Sequence, residues 1–152
     1  MTKYSASYEF SQGPDCIYGI LSDVERMAEF MPLCKRSQVL SRRAAADAEV
    51  VEANFLLRYR KIEFESDFDL VLTLRPAERL IEVGTIDTEL GSGSVRCTVS
   101  RSGATGSRLL FETDYRVRNL LVRLFFAKRV IRLGMDRIAA SLRQRAEALD
   151  GA

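Results

Sequence analysis

The chain contains no histidine, so any catalysis would depend on carboxylates, tyrosine, lysine, cysteine or arginine. The lack of imidazole removes the commonest general base, the Ser-His-Asp arrangement and most zinc chemistry. Four carboxylates alternate along one segment: Glu63, Glu65, Asp67 and Asp69. Alternation puts them on one face of a strand, where acidic side chains commonly keep the outside of a sheet soluble. We find no catalytic constellation and no metal site, and we therefore favour a binding function over an enzymatic one.

Three cysteines, Cys16, Cys34 and Cys97, are far apart, and none forms a C-x-x-C pair. This spacing predicts neither a disulfide framework nor a zinc site and fits a reducing cytosol, with Cys34 and Cys97 as small buried hydrophobic residues. Residues 1–10 lack the apolar core of a signal peptide, and no segment approaches the roughly 18 apolar residues of a membrane span. We expect a cytoplasmic bacterial protein, with peripheral contact at the inner membrane left open.

The elements that must position these residues can be predicted from hydrophobic periodicity. Residues 4–10 alternate polar and apolar side chains, which predicts a strand. Pro14 suits the first turn of a short helix, and a second short helix over about 25–31 should stop at Pro32. Further strands are predicted at 35–43, 48–59, 62–74, 79–88, 94–101 and 107–117. Short turns at 75–78, 91–93 and 102–106 separate some of them, which favours antiparallel neighbours.

A long helix is predicted over residues 119–149, because apolar residues recur there at steps of three and four. They are Leu120, Leu124, Ala127, Ile131, Met135, Ile138, Leu142, Ala146 and Leu149. Such a helix needs a sheet to lie on. The predicted fold class is therefore α+β: a curved antiparallel sheet of about seven strands wrapped around the helix, with two short helices after the first strand. At 152 residues the chain fits one domain, 1–152.

A cavity often remains between such a sheet and its helix, and some apolar and aromatic residues on the facing sides would line it. The candidates are Tyr8, Phe55, Tyr59, Phe64, Phe68, Cys97, Phe111, Tyr115, Ile131, Met135 and Ile138. An apolar pocket suits a hydrophobic ligand, whose burial contributes about 25 cal/mol per Å². The alternative is that these side chains simply fill a core. Gly134 is either kept for cavity room or tolerated as a neutral glycine.

Positive charge is concentrated near the C-terminus: residues 116–146 carry nine cations and one anion, whereas residues 1–115 carry 14 basic and 18 acidic groups. Beside exposed apolar residues such as Leu121, Val122 or Phe125, these cations could contact anionic lipid headgroups. They could instead attract ribosomal RNA, or form a solvated face. The contact candidates are Arg118, Arg123, Lys128, Arg129 and Arg132. The segment has no motif of a nucleic-acid module, and we expect no DNA partner.

Residues 22–37, S-D-V-E-R-M-A-E-F-M-P-L-C-K-R-S, resemble the segment D-V-E-x-Y-P-x-F-x-P-W-C-K-x-S of the coenzyme-Q-binding and RatA-like, polyketide-cyclase-like branch of the START superfamily. The matching positions are Asp23, Val24, Glu25, Phe30, Pro32, Cys34, Lys35 and Ser37. The chain departs from the pattern at Met27-Ala28, where the family has Tyr-Pro, and at Leu33, where it has Trp. Element order and length extend the resemblance over essentially the whole chain and imply the helix-grip fold.

The resemblance implies noncovalent binding or transport of a hydrophobic small molecule, such as a polyprenyl quinone or a related lipid. No cofactor would be required apart from such a bound ligand. Two alternatives stay open. One is a polyketide cyclase or dehydratase, for which Arg58, Tyr59 and Tyr115 could be nominated. The other is a ribosome-associated regulator of the RatA type.

Overall fold

Seven antiparallel strands form one curved sheet in the computed structural model, which describes residues 2–59, 63–88, 91–120 and 127–150. The strands are β1 Thr2–Phe10, β2 Cys34–Ala45, β3 Ala48–Tyr59, β4 Phe64–Arg75, β5 Leu80–Thr88, β6 Gly91–Ser102 and β7 Gly106–Val117. Their order across the sheet is β1-β7-β6-β5-β4-β3-β2, so each strand from β2 to β7 pairs with its neighbour in the chain. Only β1 joins the sheet out of sequence, beside β7, and β2 forms the opposite edge.

Two short helices follow β1, and a long helix ends the chain. The helices are α1 Pro14–Ser22, α2 Met27–Phe30 and α3 Ala127–Asp150, and a 3-10 turn, Val24–Arg26, separates the first two. Pro14 occupies the first turn of α1, where its missing N–H needs no partner. The second short helix predicted over about 25–31 is confirmed, and its first residues, Val24–Arg26, form the 3-10 turn that leads into α2. Met31 is extended, as expected for a residue that precedes a proline.

The predicted turn at Gly91–Ser92–Gly93 was wrong, because all three residues belong to β6. Gly93 pairs with Tyr115 on β7, and the strands approach closely there. A Cβ atom on Gly93 would lie 2.6 Å from a carbon of the Tyr115 ring, so only glycine fits beneath this aromatic side chain. The glycines make room for a neighbouring strand, whereas sequence reasoning assigned them to a turn.

One region of the core is fully packed where α1 lies between β7 and α3. Its central residues, Ile17, Leu109, Leu142 and Ala146, have no exposed surface, and we call them the packed region. The helix α3 contacts β1, α1, α2 and β7. It therefore lies over the β1–β7 side of the sheet, and the middle strands receive little cover from it.

The predicted apolar stripe of α3 faces this core in the middle of the helix but not at both ends. Met135, Leu142 and Ala146 are buried, whereas Leu120 and Leu149 are about half exposed. Leu149 borders an open groove beside α1, because the helix continues past the elements that cover its centre. Leu124 lies outside the described residues. None of the helices in the described ranges is long and apolar enough to span a membrane.

Two arginines of α3 fasten the helix to the rest of the fold. The guanidinium of Arg143 donates a 3.0 Å hydrogen bond to the Glu9 carbonyl and lies 5.2 Å from the centre of the Phe10 ring. Arg145 pairs with Glu29 at 3.6 Å and lies 5.8 Å from the centre of the Phe30 ring. These cations stabilise contacts with β1 and α2, so part of the C-terminal positive charge is structural.

Candidate functional site

A cavity of about 200 Å³ opens between the concave face of the sheet, the α2 segment and α3. Among the described residues its wall is apolar: aliphatic and aromatic side chains, the thioethers of Met27 and Met31, and the thiol of Cys97. The lining residues are Leu21, Met27, Met31, Phe55, Leu57, Phe68, Leu70, Leu72, Ile81, Val83, Ile86, Val95, Cys97, Phe111 and Ile138. Within the part of the chain that the structure describes, no charged side chain and no hydroxyl or amide side chain takes part in this wall. We refer to these residues as the hollow region.

The alternation of side chains along β3, β4, β6 and β7 brings most of this wall together. On β4, Leu70 and Leu72 point inward, while Asp67 and Asp69 lie exposed on the outer face. A strict alternation along β5 could not place both Val83 and Ile86 on the concave face. An irregularity in the β5–β6 pairing between these two residues shifts the register and lets both reach the cavity.

The α2 segment covers one side of the cavity through Met27 and Met31, and we call this cover the roof. Ser37 on β2 holds it in place. The Ser37 hydroxyl accepts a 3.0 Å hydrogen bond from the Ala28 N–H and donates a 3.1 Å hydrogen bond to the Glu25 carbonyl. A side chain on an edge strand thus satisfies backbone groups on both sides of the break between the 3-10 turn and α2.

The structure brings five of the predicted cavity residues to the wall: Phe55, Phe68, Cys97, Phe111 and Ile138. Phe55 and Phe68 face each other across β3 and β4, with ring centres 6.3 Å apart. The side chains of Tyr59 and Phe64 lie outside the described part of the structure. Contact of any of these residues with a ligand stays a prediction.

Four predicted cavity residues do not line the wall. Met135 is buried, and Ile131 packs against the core as a partly buried residue. Tyr115 covers Gly93. Tyr8 packs edge-on against Phe111 and donates a 2.6 Å hydrogen bond to the Asp136 carboxylate of α3. These side chains were expected to point inward and line the cavity. They do not line it, because α3 and the neighbouring strands occupy the space beside them.

The Tyr8 hydroxyl and the Cys97 thiol are the two groups near the cavity whose protonation is strongly biased. Burial, followed by the hydrogen bond to Asp136, raises the pKa of Tyr8 well above its ordinary value. Burial raises the pKa of Cys97 to about 12. Both groups therefore remain protonated at neutral pH, and a neutral thiol is a poor nucleophile.

Several wall residues were not nominated from the sequence: Leu21, Met27, Met31, Leu57, Leu70, Leu72, Ile81, Val83, Ile86 and Val95. Alternation along the strands could have found Leu57, Leu70 and Leu72. It could not have found Met27 and Met31, because their position depends on how the roof folds back over the sheet. Gly134 is exposed, and a Cβ atom there would meet no atom within 4 Å. Its proposed role in making cavity room was wrong.

The residues nominated for cyclase chemistry are not brought together at the cavity. Arg58 is on the opposite face of β3 from Phe55 and Leu57, and its guanidinium pairs with Glu65 at 2.9 Å. The predicted acidic face is confirmed for Glu65, Asp67 and Asp69, whereas Glu63 lies in the turn before β4. Within the described residues, no group of three or more cysteine, aspartate or glutamate side chains could hold a metal ion.

On the outer face of β2–β4, carboxylates pair with amide and arginine side chains of neighbouring strands. The Asn54 side-chain amide donates to Asp67 at 2.5 Å and to Asp69 at 2.9 Å, while Arg36 pairs with Asp67 at 3.1 Å. The hydrogen bond from Asn54, with the nearby Arg36 charge, lowers the pKa of Asp67. This network stabilises a solvated sheet surface, which is the role predicted for these carboxylates.

The cations predicted to meet lipid or RNA have different environments. Arg118 forms an ion pair with Asp87, and Arg132 lies 3.9 Å from Asp136. Lys128 and Arg129 are exposed on α3. Arg123 lies outside the described residues. Their contact with lipid or RNA stays a prediction.

A larger depression, of about 480 Å³, lies on the opposite side of the sheet over β1, β7, β6 and β5. Charged side chains such as Lys3, Glu82, Arg96 and Glu112 border it. An open groove with both signs of charge is typical of a solvated sheet surface. The smaller cavity is the better candidate site, because it is concave and almost wholly apolar.

The arrangement of a curved sheet around a C-terminal helix defines the helix-grip class, and comparison with solved structures confirms that class. A START-superfamily protein from Mycobacterium smegmatis superposes with a TM-score of 0.79 at 18% identity, over 97% of this chain and 98% of that protein. The ZhuI aromatase/cyclase from Streptomyces sp. R1128 gives a TM-score of 0.79 at 14% identity, over 96% and 93%. An 18 kDa protein from Caulobacter crescentus gives 0.78 at 18% identity over 100% of both chains.

The sequence itself identifies the family. Residues 11–140 match the profile described as polyketide cyclase/dehydrase and lipid transport, and the chain therefore belongs to that family. A search of curated proteins finds no match. The family description includes both enzymes and lipid transport. The choice between these two functions therefore rests on the chemistry of the cavity.

Proposed function

We propose that the protein binds the apolar part of a lipid-like small molecule in the hollow region, and that it holds or delivers this molecule without making or breaking bonds. The observation that supports the proposal is the wall itself, in which fifteen described residues contribute aliphatic and aromatic groups, two thioethers and a single thiol. Apart from the weak Cys97 S–H donor, this described surface offers no side-chain hydrogen-bond donor to a polar guest. It gains about 25 cal/mol for each Å² of apolar area that it removes from water.

The volume limits how much of a ligand can enter. An engineered apolar cavity of about 150 Å³ in another protein accommodates benzene. At about 200 Å³, the cavity holds little more than one ring or a short branched chain. A polyprenyl quinone, the ligand suggested by the START-like resemblance, would place only part of its chain or its ring inside. Its remainder would lie outside the wall described above.

The wall chemistry favours carriage over polyketide cyclisation. A polyketide chain carries carbonyl groups along its length, and each buried carbonyl without a partner would cost about 1–3 kcal/mol. The described residues of the hollow region provide no side-chain donor except the weak Cys97 S–H. Arg58 lies on the other face of the sheet, and Tyr115 is not part of the wall. Cyclase activity remains the alternative because of the family and because of the structural likeness to an aromatase/cyclase.

Native mass spectrometry of protein purified without detergent tests the proposal. We expect a co-purified lipid-like molecule on the unmodified chain and its loss in Val95→Phe, because the added ring would occupy the cavity. The matched control is Val71→Phe, which makes the same change at a site 44% exposed on the outer face. An empty protein that also fails to take up added long-chain alcohols or quinones would contradict the proposal.

A further inference from the structure

A basic surface covers the exposed side of α3 between residues 128 and 137. Its cations are Lys128, Arg129, Arg132 and Arg137, all exposed. They occur within ten residues, which correspond to roughly 14 Å of helix. Leu133 lies among them with 55% of its side chain exposed. We call this surface the basic helix face.

Most of this charge is not neutralised within the protein. Arg132 lies 3.9 Å from Asp136, whose other carboxylate oxygen accepts the Tyr8 hydrogen bond. For Lys128, Arg129 and Arg137, the described ranges contain no ion-pair partner. The arginines Arg143 and Arg145 differ, because they contact β1 and α2. Uncompensated positive charge therefore accumulates along the first half of α3, with Arg129 and Arg137 on the side that faces away from the core.

An exposed leucine among four cations and one anion, Asp136, is a specific combination. Cations alone would suit any polyanion, but an apolar side chain among them gains free energy only where it can leave water. Anionic phospholipid headgroups offer both partners, with phosphate for the cations and the upper acyl region for Leu133.

The same face lacks what RNA recognition commonly uses. No aromatic residue occurs between positions 128 and 137, so bases would find no stacking platform there. We propose that the basic helix face docks the protein on the headgroups of an anionic phospholipid bilayer. This surface is separate from the cavity and does not depend on the identity of any bound guest.

Vesicle co-sedimentation of the full chain tests the docking surface. We expect binding to vesicles of phosphatidylcholine with phosphatidylglycerol, weaker binding as salt rises, and little binding to phosphatidylcholine alone. Arg129→Glu with Arg137→Glu should weaken binding at least about 25-fold, because each cation near an anionic surface contributes about fivefold. Leu133→Ser should weaken it by about tenfold without any change in charge.

Two control variants separate this surface from general charge and from the cavity. Lys35→Glu with Arg43→Glu makes the same change in net charge at exposed positions of β2, and we expect less than about a threefold effect. Val95→Phe should retain vesicle binding even if it loses its guest, so the two proposals can fail separately.

Three results would overturn the docking proposal: no preference for anionic vesicles, equal losses in the β2 control, or an unaffected Leu133→Ser. Binding to ribosomal RNA fragments without binding to vesicles would overturn it as well, and would favour a ribosomal partner for the same cations.

Discussion

The packed and hollow regions are built from the same kinds of residue within one continuous core, yet they differ in what surrounds each side chain. Leu142 of α3 is fully buried between neighbouring elements, whereas Phe55 and Phe68 are only partly buried and face open space. The position of α3 explains the difference, because the helix fills the β1–β7 side of the sheet and, among its described residues, contributes only Ile138 to the cavity wall. Apolar content alone therefore does not distinguish a core from a binding site.

The strongest test of this comparison truncates one residue in each region. Leu142→Ala should lower the free energy of unfolding by about 2–5 kcal/mol, because it leaves a void among well-packed neighbours. Phe68→Ala should cost less than about 2 kcal/mol, since its ring already lacks contacts on the cavity side. Urea denaturation measures both. Equal losses would show that the two regions are packed alike.

The next test concerns the roof over the hollow region. Ser37→Ala removes two hydrogen bonds to the backbone around α2 and should cost about 2 kcal/mol. Hydrogen exchange should increase at the Ala28 amide and leave the packed region unchanged. Ser41→Ala, an exposed serine on the same strand, is the matched control. Uniform exchange across the chain would contradict a local role for Ser37.

A pH titration examines whether the hollow region excludes water. Burial raises the pKa of Cys97 to about 12, so the thiol stabilises the fold fully at pH values below its ordinary pKa of 9.0. This contribution is lost as the pH rises from 9 towards 12, because the unfolded chain releases the proton first. At pH 10 the loss should be on the order of 1 kcal/mol relative to pH 8.

Cys97→Ala serves as the reference for this titration, since Tyr8 and Tyr18 also have raised pKa values and persist in the variant. The expected signal is the difference between the two unfolding curves. Identical pH dependence would indicate that water reaches the thiol through the cavity.

The smallest effect is expected outside both regions. Gly134→Ala should stabilise the protein by about 0.5–1 kcal/mol, because alanine favours the helix and its methyl group would meet no neighbouring atom. Guest binding should not change. A thermal melt and a binding measurement on the same sample check both expectations, and altered binding would place Gly134 closer to the cavity than the structure does.

Long segments with clear periodicity were predictable, and positions that depend on tertiary contact were not. The predicted strand 48–59 agrees with Ala48–Tyr59, because its inward and outward residues alternate without interruption. The register shift that admits Ile86 lies at Gly84, and a lone glycine in a strand is compatible with a bulge without specifying one. The two glycines of β6 fulfil a packing requirement set by β7, which local turn preferences cannot reveal.

The sequence predicted the class of candidate site, an apolar cavity between the sheet and the helix, better than it predicted the residues that line it. Phe55, Phe68 and Phe111 were found because large apolar residues on inward positions must face the helix or a cavity. Tyr8 was misassigned, since only the fold brings it next to Asp136. The roof residues Met27 and Met31 could not be placed before the path of the chain around Pro32 was known.

The edge strand β2 has a consequence for how molecules of this protein behave when crowded. It is twelve residues long and borders β3 alone, so its outer backbone could template strand addition by another chain. Two irregularities in its pairing, after Cys34 and after Val39, disturb the straight edge that such addition requires. Exposed Arg43 adds a charge that disfavours pairing with a second copy, whereas Arg42 pairs with Glu49 at 2.5 Å. This border is thereby protected against aggregation.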